Sequence, residues 1–306
     1  MPGEQQYVDL QVNGYAGVDF NADDLSTEQL HFACQRLRED RVAGILATII
    51  TAELPKMLGR LKRIADICQQ DPLVGDLVWG IHIEGPFINE NPGYVGAHPP
   101  QAVRPGDLDA MKQLLDAGGG LVRLVTLAPE RDPRLSVTCW LVGQKILVAA
   151  GHCNPSLDEL HSAIDAGLSM FTHLGNGCPM VLHRHDNIIQ RALSLRERLT
   201  ISFIADGVHV PTAALGNYLR LTGAEHAIVV TDAIAAARLG PGQYTLGGQA
   251  IGIGKDLVTR SADGTHFVGS ATTMPRTAAL LRKELRLSVA EVQHLVLHNP
   301  CRLLGR

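Results

Sequence analysis

The sequence predicts an α/β fold closed into a (β/α)8 barrel of the TIM type. Three observations carry this: eight short β-branched or apolar runs, segments of helical period between them, and polar residues gathered where the runs end. The 306 residues suit one such barrel, and a hydrophobic content of 45% supplies its core. An open doubly wound sheet is the alternative arrangement of the same units. With no internal repeat and no low-complexity linker, the expectation is a single catalytic domain over 1–306 with a Gly-rich insertion at about 235–270.

The first run, "YVDLQVNG", alternates Asp9, Gln11 and Asn13 with Val8, Leu10 and Val12. A period of two marks a strand, here with one wholly polar face. "VAGILATIIT", "LVWGIHIEG", "LVRLVTLAPE", "KILVAAGHC", "SMFTHLG", "LTISFIADG" and "AIVVTDA" complete the eight. Helical period appears between them in "STEQLHFACQRLRED", "LDAMKQLLDAG" and "SLDELHSAIDAG", the last opening on a capping box of Ser156 and Glu159. Beyond the eighth run, a Gly-rich excursion reads as hairpins or a long active-site loop. "PRTAALLRKELR" and "SVAEVQHLVLHNPCRLL" read as closing helices.

A formal net charge of -4 without runs of like charge gives no footprint for nucleic acid or anionic lipid, so a small molecule is the expected partner. No apolar stretch approaches the roughly 20 residues of a membrane span, and "MPGEQQ" is not a leader, so a cytoplasmic protein is expected. The six cysteines form no C-x-x-C pair, which argues against a disulfide framework or a zinc knuckle.

Strands of a parallel barrel are buried on both faces, so polar residues on them need a reason. The third run ends in His82 and Glu84, the fifth in His152, the sixth in His173, the seventh in Asp206 with His209 beyond, and the eighth in Asp232. That rim is where barrel enzymes carry their chemistry. Glu84, His152 and His173 are the right residue types for a catalytic divalent metal, which takes about three protein ligands and leaves a position for water. Each alone also suits a satisfied core group or an ion pair; together on neighbouring strand ends they argue for a metal. Asp232 suits either a helix cap or a proton carrier beside that metal. His98 in "NPGYVGAHPP", and Asn176, Arg184 and His209, stand in rim loops as surface residues or substrate contacts.

The ordered series "DLQVNG", "HIEGPF", "GAH", "GHCNPS", "THLGNG", "DGVHV", "VTDA" and "VGSATTM" resembles the N-acetylglucosamine-6-phosphate deacetylases of the amidohydrolase superfamily, over nearly the whole chain. The resemblance implies a metal, zinc or iron, on Glu84, His152 and His173, with Asp232 as general base and then acid. It implies that His98 polarises the acetyl carbonyl and that Asn176, the backbone at Gly177, Arg184 and His209 meet the sugar phosphate. It also suggests a homodimer in which His209 reaches a neighbour's phosphate site. Many amidohydrolases carry His-x-His on the first strand for a second metal. Gln11 and Asn13 stand there instead, and neutral amides are poor zinc ligands. One tightly held metal is therefore expected, with Gln11 holding a water or at most a weak second ion.

Three departures from the family pattern stand out. The small β-sandwich that flanks the family's barrel is not expected, since the sequence opens on the first barrel strand and ends after the last helix. Gly177 and Cys178 replace Ala and Met, and Arg184 is followed by His185, Asp186 and Asn187 rather than Glu-Pro-Gly. "VLHRHDN" also adds His183 and His185. The expected reaction is hydrolysis of the acetyl group of an amino-sugar phosphate. The alternatives are an amidohydrolase acting on another N-acyl or cyclic amide, or a silent sugar-phosphate-binding barrel. A Schiff-base aldolase lacks a strand-end lysine.

Overall fold

The computed structural model describes residues 6–254, 258–261 and 269–306. All eight expected strands form: β1 (Tyr7–Val12), β2 (Val42–Ile50), β3 (Val78–Glu84), β4 (Val122–Leu127), β5 (Leu147–Ala150), β6 (Met170–Phe171), β7 (Thr200–Ile204) and β8 (Ala227–Val230). Each pairs in parallel with the next, in chain order, and helices cover the outside. This is a (β/α)8 barrel. The circle closes differently from the rest: β8 and β1 share no ladder, and the seam is held beyond β8, where Ala233 bridges Val12 and its carbonyl accepts from the amides of Asn13 (2.7 Å) and Gly14 (3.1 Å).

The interior is an apolar cluster drawn from around the circle, including Leu10, Leu46, Leu124, Met170, Ile204 and Ile228. Leu297, Leu303 and Leu304 of the C-terminal helical segment pack against it and stop one end of the barrel. Strict alternation along β1 would send Leu10 and Gln11 to opposite faces, yet Leu10 joins this interior and Gln11 reaches Glu84 at the inner rim. A register shift between Asp9 and Val12 reconciles the two, because a local break in pairing rotates one side chain out of sequence.

The expected helices are present over Thr27–Glu39, Leu108–Ala117 and Leu157–Asp165. The Ser156 hydroxyl accepts from Glu159 N and the Glu159 carboxylate from Ser156 N, a reciprocal cap. The sequence reading did not single out the longest helix, Leu54–Gln70, which opens on a proline in its first turn. The described part of the Gly-rich excursion forms a three-stranded antiparallel sheet, Gly242–Leu246, Gln249–Ile253 and Thr259–Ser261. Its Leu246, Ile251 and Ile253 pack on Ile50 and Ile234 at the barrel mouth. The turn is tied down as Gly247 N donates to Asp19 Oδ2 (2.7 Å). Among the described residues, no helix is long and apolar enough to cross a membrane.

At the opposite end, Asn299 is buried and its amide donates to the carbonyls of Ala224 (2.6 Å) and Ala227 (2.8 Å), joining the C-terminal segment to β8. Asn299→Ala takes a donor from the buried Ala227 carbonyl and from the more exposed Ala224 carbonyl, and should cost roughly 1–3 kcal/mol in urea unfolding, without changing turnover per folded molecule.

Candidate active site

The rim residues are delivered by strained backbone. His152 (φ 50°), His173 (φ 33°) and Asp232 (φ 51°) all leave their strands in the left-handed region, which costs a side-chain-bearing residue energy unless its surroundings hold it there. They do hold it. The His152 carbonyl accepts from Asn89 N (2.9 Å), His173 N donates to the Ser202 hydroxyl (2.7 Å), and the Asp232 carbonyl accepts from Ser270 N (2.9 Å). The consequence is that side chains from three strands turn into one cavity of about 1500 Å³ at the barrel mouth.

At its centre is Glu84, almost fully buried. Its Oε1 receives three nitrogens: Gln11 Nε2 at 3.0 Å, His173 Nε2 at 2.9 Å and His152 Nε2 at 3.4 Å. His98 Nε2 faces the other oxygen at 3.9 Å. Burial works to raise the Glu84 carboxyl, but the hydrogen bonds and charges of His152 and His173 outweigh it and hold the group well below the usual carboxylate range. His173 is raised in return: burial opposes its charge, and the Glu84 bond and the charges of Glu84 and Asp232 favour it.

These groups fit a divalent cation. Glu84, His98 and His152 present ligand atoms that all lie within 4.8 Å of one another. His152 Nδ1 sits 2.7 Å from the Tyr94 carbonyl, which can only accept, so Nδ1 carries a proton, and Nε2, 3.4 Å from Glu84 Oε1, is the nitrogen left to give a lone pair to a cation. A ring fixed in this way through its second nitrogen is the usual state of a metal-binding imidazole. His173 Nδ1 and Asn13 Oδ1 are buried without a partner among the described residues.

His98 is set by Thr51. The Thr51 hydroxyl donates to the Glu84 carbonyl (3.2 Å), so its oxygen accepts from His98 Nδ1 (2.8 Å) and His98 Nε2 is left as a lone pair. Burial, with the charge of His152, pushes His98 down to about 3, which keeps it neutral. To donate from Nε2, the ring must move its proton across and Thr51 must turn its hydrogen toward Nδ1.

Asp232 lines the same cavity, and Asn13 Nδ2 donates to its Oδ1 at 2.7 Å. Burial and the Glu84 charge push it up to about 6 against the pull of His173, His209 and Asn13, a value suited to moving protons near neutrality. Asn176, Gly177 and His209 also line the cavity. His209 Nδ1 bonds Asp206 Oδ2 (2.7 Å), and that carboxylate, which burial would raise, is lowered by the histidine. Arg184 is exposed on its rim loop and is not part of the lining. His82 bonds Thr126 (2.8 Å) inside the barrel and makes no hydrogen bond to Glu84. Thr51 and Lys56, which follow β2, are among the mouth residues that the sequence reading did not name. Thr51 stands at a strand's C-terminal end, so the same rim rule would have found it.

The chain is 30% identical to the N-acetylglucosamine-6-phosphate deacetylase of Bacillus subtilis over 300 residues, covering 97% of this chain and 74% of the relative. It belongs to the N-acetylglucosamine-6-phosphate deacetylase family. Within the deacetylase group it is also 31% identical to an N-acetylgalactosamine-6-phosphate deacetylase of Escherichia coli O157:H7, covering 98% of this chain and 77% of the relative. The Mycobacterium smegmatis N-acetyl-D-glucosamine-6-phosphate deacetylase, solved as a variant in complex with N-acetyl-D-glucosamine-6-phosphate, superposes with a TM-score of 0.89 at 30% identity, covering 98% of this chain and 77% of that one. No family model matches the chain.

The backbone geometry gives the glycine at 177 a physical meaning. It has φ 61°, and a Cβ there would lie 2.9 Å from His152 Nδ1, the atom that faces the Tyr94 carbonyl. Gly177→Val, bulkier than the alanine of the family pattern, should therefore tilt the His152 ring. The expected result is a fall in deacetylase kcat on the order of 10²-fold with an unchanged circular dichroism spectrum.

Proposed function

We propose that the protein hydrolyses the N-acetyl group of an amino-sugar phosphate, converting N-acetylglucosamine-6-phosphate to glucosamine-6-phosphate and acetate. One divalent metal, zinc or iron, would be held by Glu84, His152 and His173. The observation that carries this is the convergence of two imidazole Nε2 atoms on one oxygen of Glu84, with a second carboxylate, Asp232, in the same cavity. A cation bound there supplies Lewis acidity, polarising a carbonyl and making a water more acidic.

The chain's own groups handle the protons. Asn13 occupies Asp232 Oδ1, which leaves Oδ2 to take the proton from the attacking water. As the C–N bond breaks, Asp232 returns that proton to the amine nitrogen, so acetate and a free amino sugar leave and the carboxylate is restored. His98, after the proton exchange with Thr51, donates to the carbonyl oxygen as negative charge grows there. Asn176, the Gly177 backbone and His209 take the phosphate, with Arg184 as a charge outside the lining. Gln11 serves Glu84 as a hydrogen-bond donor, which supports one tightly held metal rather than two.

We place the enzyme in the cytoplasm, where phosphorylated sugars are made and used. A homodimer is supported by Met180 and Val181, apolar residues 99% and 89% exposed on the loop that also carries Arg184. The net charge gives nucleic acid no role here.

Acetate release from N-acetylglucosamine-6-phosphate, its galactosamine epimer and the unphosphorylated sugar tests the reading. Turnover of a phosphorylated sugar that a chelator abolishes is expected; no turnover of any by metal-loaded protein would send the reading to another N-acyl substrate. Metal analysis of two variants separates the imidazoles: His173→Gln should lose metal, and His98→Gln should keep it while kcat falls by roughly 10²-fold. The reverse pattern would make His98 the ligand.

A further inference from the structure

Asp9 is a carboxylate only 2% exposed, and the reaction above gives it no task. It stands at the seam, where β1 and β8 share no ladder. Its Oδ1 accepts from the backbone amides of Gln11 (3.3 Å) and Thr231 (3.2 Å), and its Oδ2 from the Thr231 hydroxyl (2.5 Å). The hydroxyl oxygen of Thr231 in turn accepts from Ala233 N (3.1 Å). Asp232 lies between these two residues in the left-handed region, and its neighbour Ala233 is the residue that bridges to Val12.

Joining the strands does not require this arrangement. The Ala233 carbonyl already accepts from Asn13 and Gly14 across the seam, with backbone groups alone. What Asp9 adds is a bond to one particular hydroxyl, directly before Asp232, whose oxygen closes the turn directly after it. A strained residue keeps its conformation only where the surroundings over-determine it. We infer that Asp9 is a positioning residue for Asp232: through Thr231 it fixes the left-handed turn that presents the Asp232 carboxylate to Asn13 and the cavity. This rests on the reading of Asp232 as the proton carrier.

The Thr231 hydroxyl can be removed without changing side-chain shape. Thr231→Val, Thr231→Ser, Asp9→Asn and Asp232→Asn are compared with the parent protein, all loaded with metal. The readouts are kcat and KM for N-acetylglucosamine-6-phosphate, metal per chain and the thermal midpoint. Thr231→Val should lower kcat by at least about tenfold with KM within about twofold and metal unchanged, and Thr231→Ser, which keeps the hydroxyl, should restore most of the rate. Asp9→Asn keeps an oxygen acceptor for both amides but puts an amide donor in place of the oxygen that accepts from the Thr231 hydroxyl, and should lower kcat in the same sense; it decides the matter if the valine variant does not fold. A Thr231→Val protein that loses thermal stability at the parent kcat, or valine and serine variants with equal kcat, would overturn the inference. Turnover retained in Asp232→Asn would instead remove the proton-carrier reading on which it rests, so the two failures are told apart.

Discussion

A carboxylate taken out of water must be matched by donors or cations, or its charge is lost, and at the mouth of this barrel that demand falls on Glu84. Three strands and a loop meet it. Gln11 from β1, His152 and His173 from beyond β5 and β6, and His98 from the loop after β3 all face its two oxygens. The polar first strand follows from the same demand: Gln11 and Asn13 give one amide each to Glu84 and Asp232. Neutral amides satisfy both carboxylates without adding charge, so the two stay electrostatically distinct. One is held low by imidazoles and the other is raised by burial and by the first, a separation that lets neighbouring acids take different roles.

Backbone strain is the second element of the arrangement. Three residues leave their strands with positive φ, and each is pinned by a bond from a different part of the chain. Rigid parallel strands fix where each residue starts, and the strained step aims its side chain across the mouth instead of along the strand. Gly177 belongs to the same construction. Its missing Cβ lets the rim loop close over the His152 ring.

Much of this was legible in the sequence. β-branched runs bounded by Gly and polar residues marked all eight strands, and polar residues at their ends marked Glu84, His152, His173 and Asp232, because a buried parallel strand has no other use for them. The capping box at Ser156 was readable for a similar reason: two short side chains at fixed spacing define it. What depends on pairing between distant segments was not readable. The register shift in β1 lets Leu10 and Gln11 both serve the interior, against the simple alternation seen in the sequence. The tautomer of His98 is fixed by Thr51, 47 residues away. Arg184 matched the family pattern by position, yet where an arginine on a rim loop points is decided by the loop's path, and here it lies outside the cavity lining.

The roof of the cavity has a different origin from its floor. Leu246, Gly247 and Gly248, at the turn of the three-stranded sheet, line the cavity from a segment that follows the last barrel strand, and the turn is fastened by an apolar cluster and the Asp19 carboxylate. None of the barrel's strand pairings passes through it. Substitutions at that turn therefore alter the space above the substrate while leaving the barrel's strand pairings in register. In evolutionary terms the chemistry and the choice of substrate are separately adjustable, one written into the strand ends and the other into the turn that covers them.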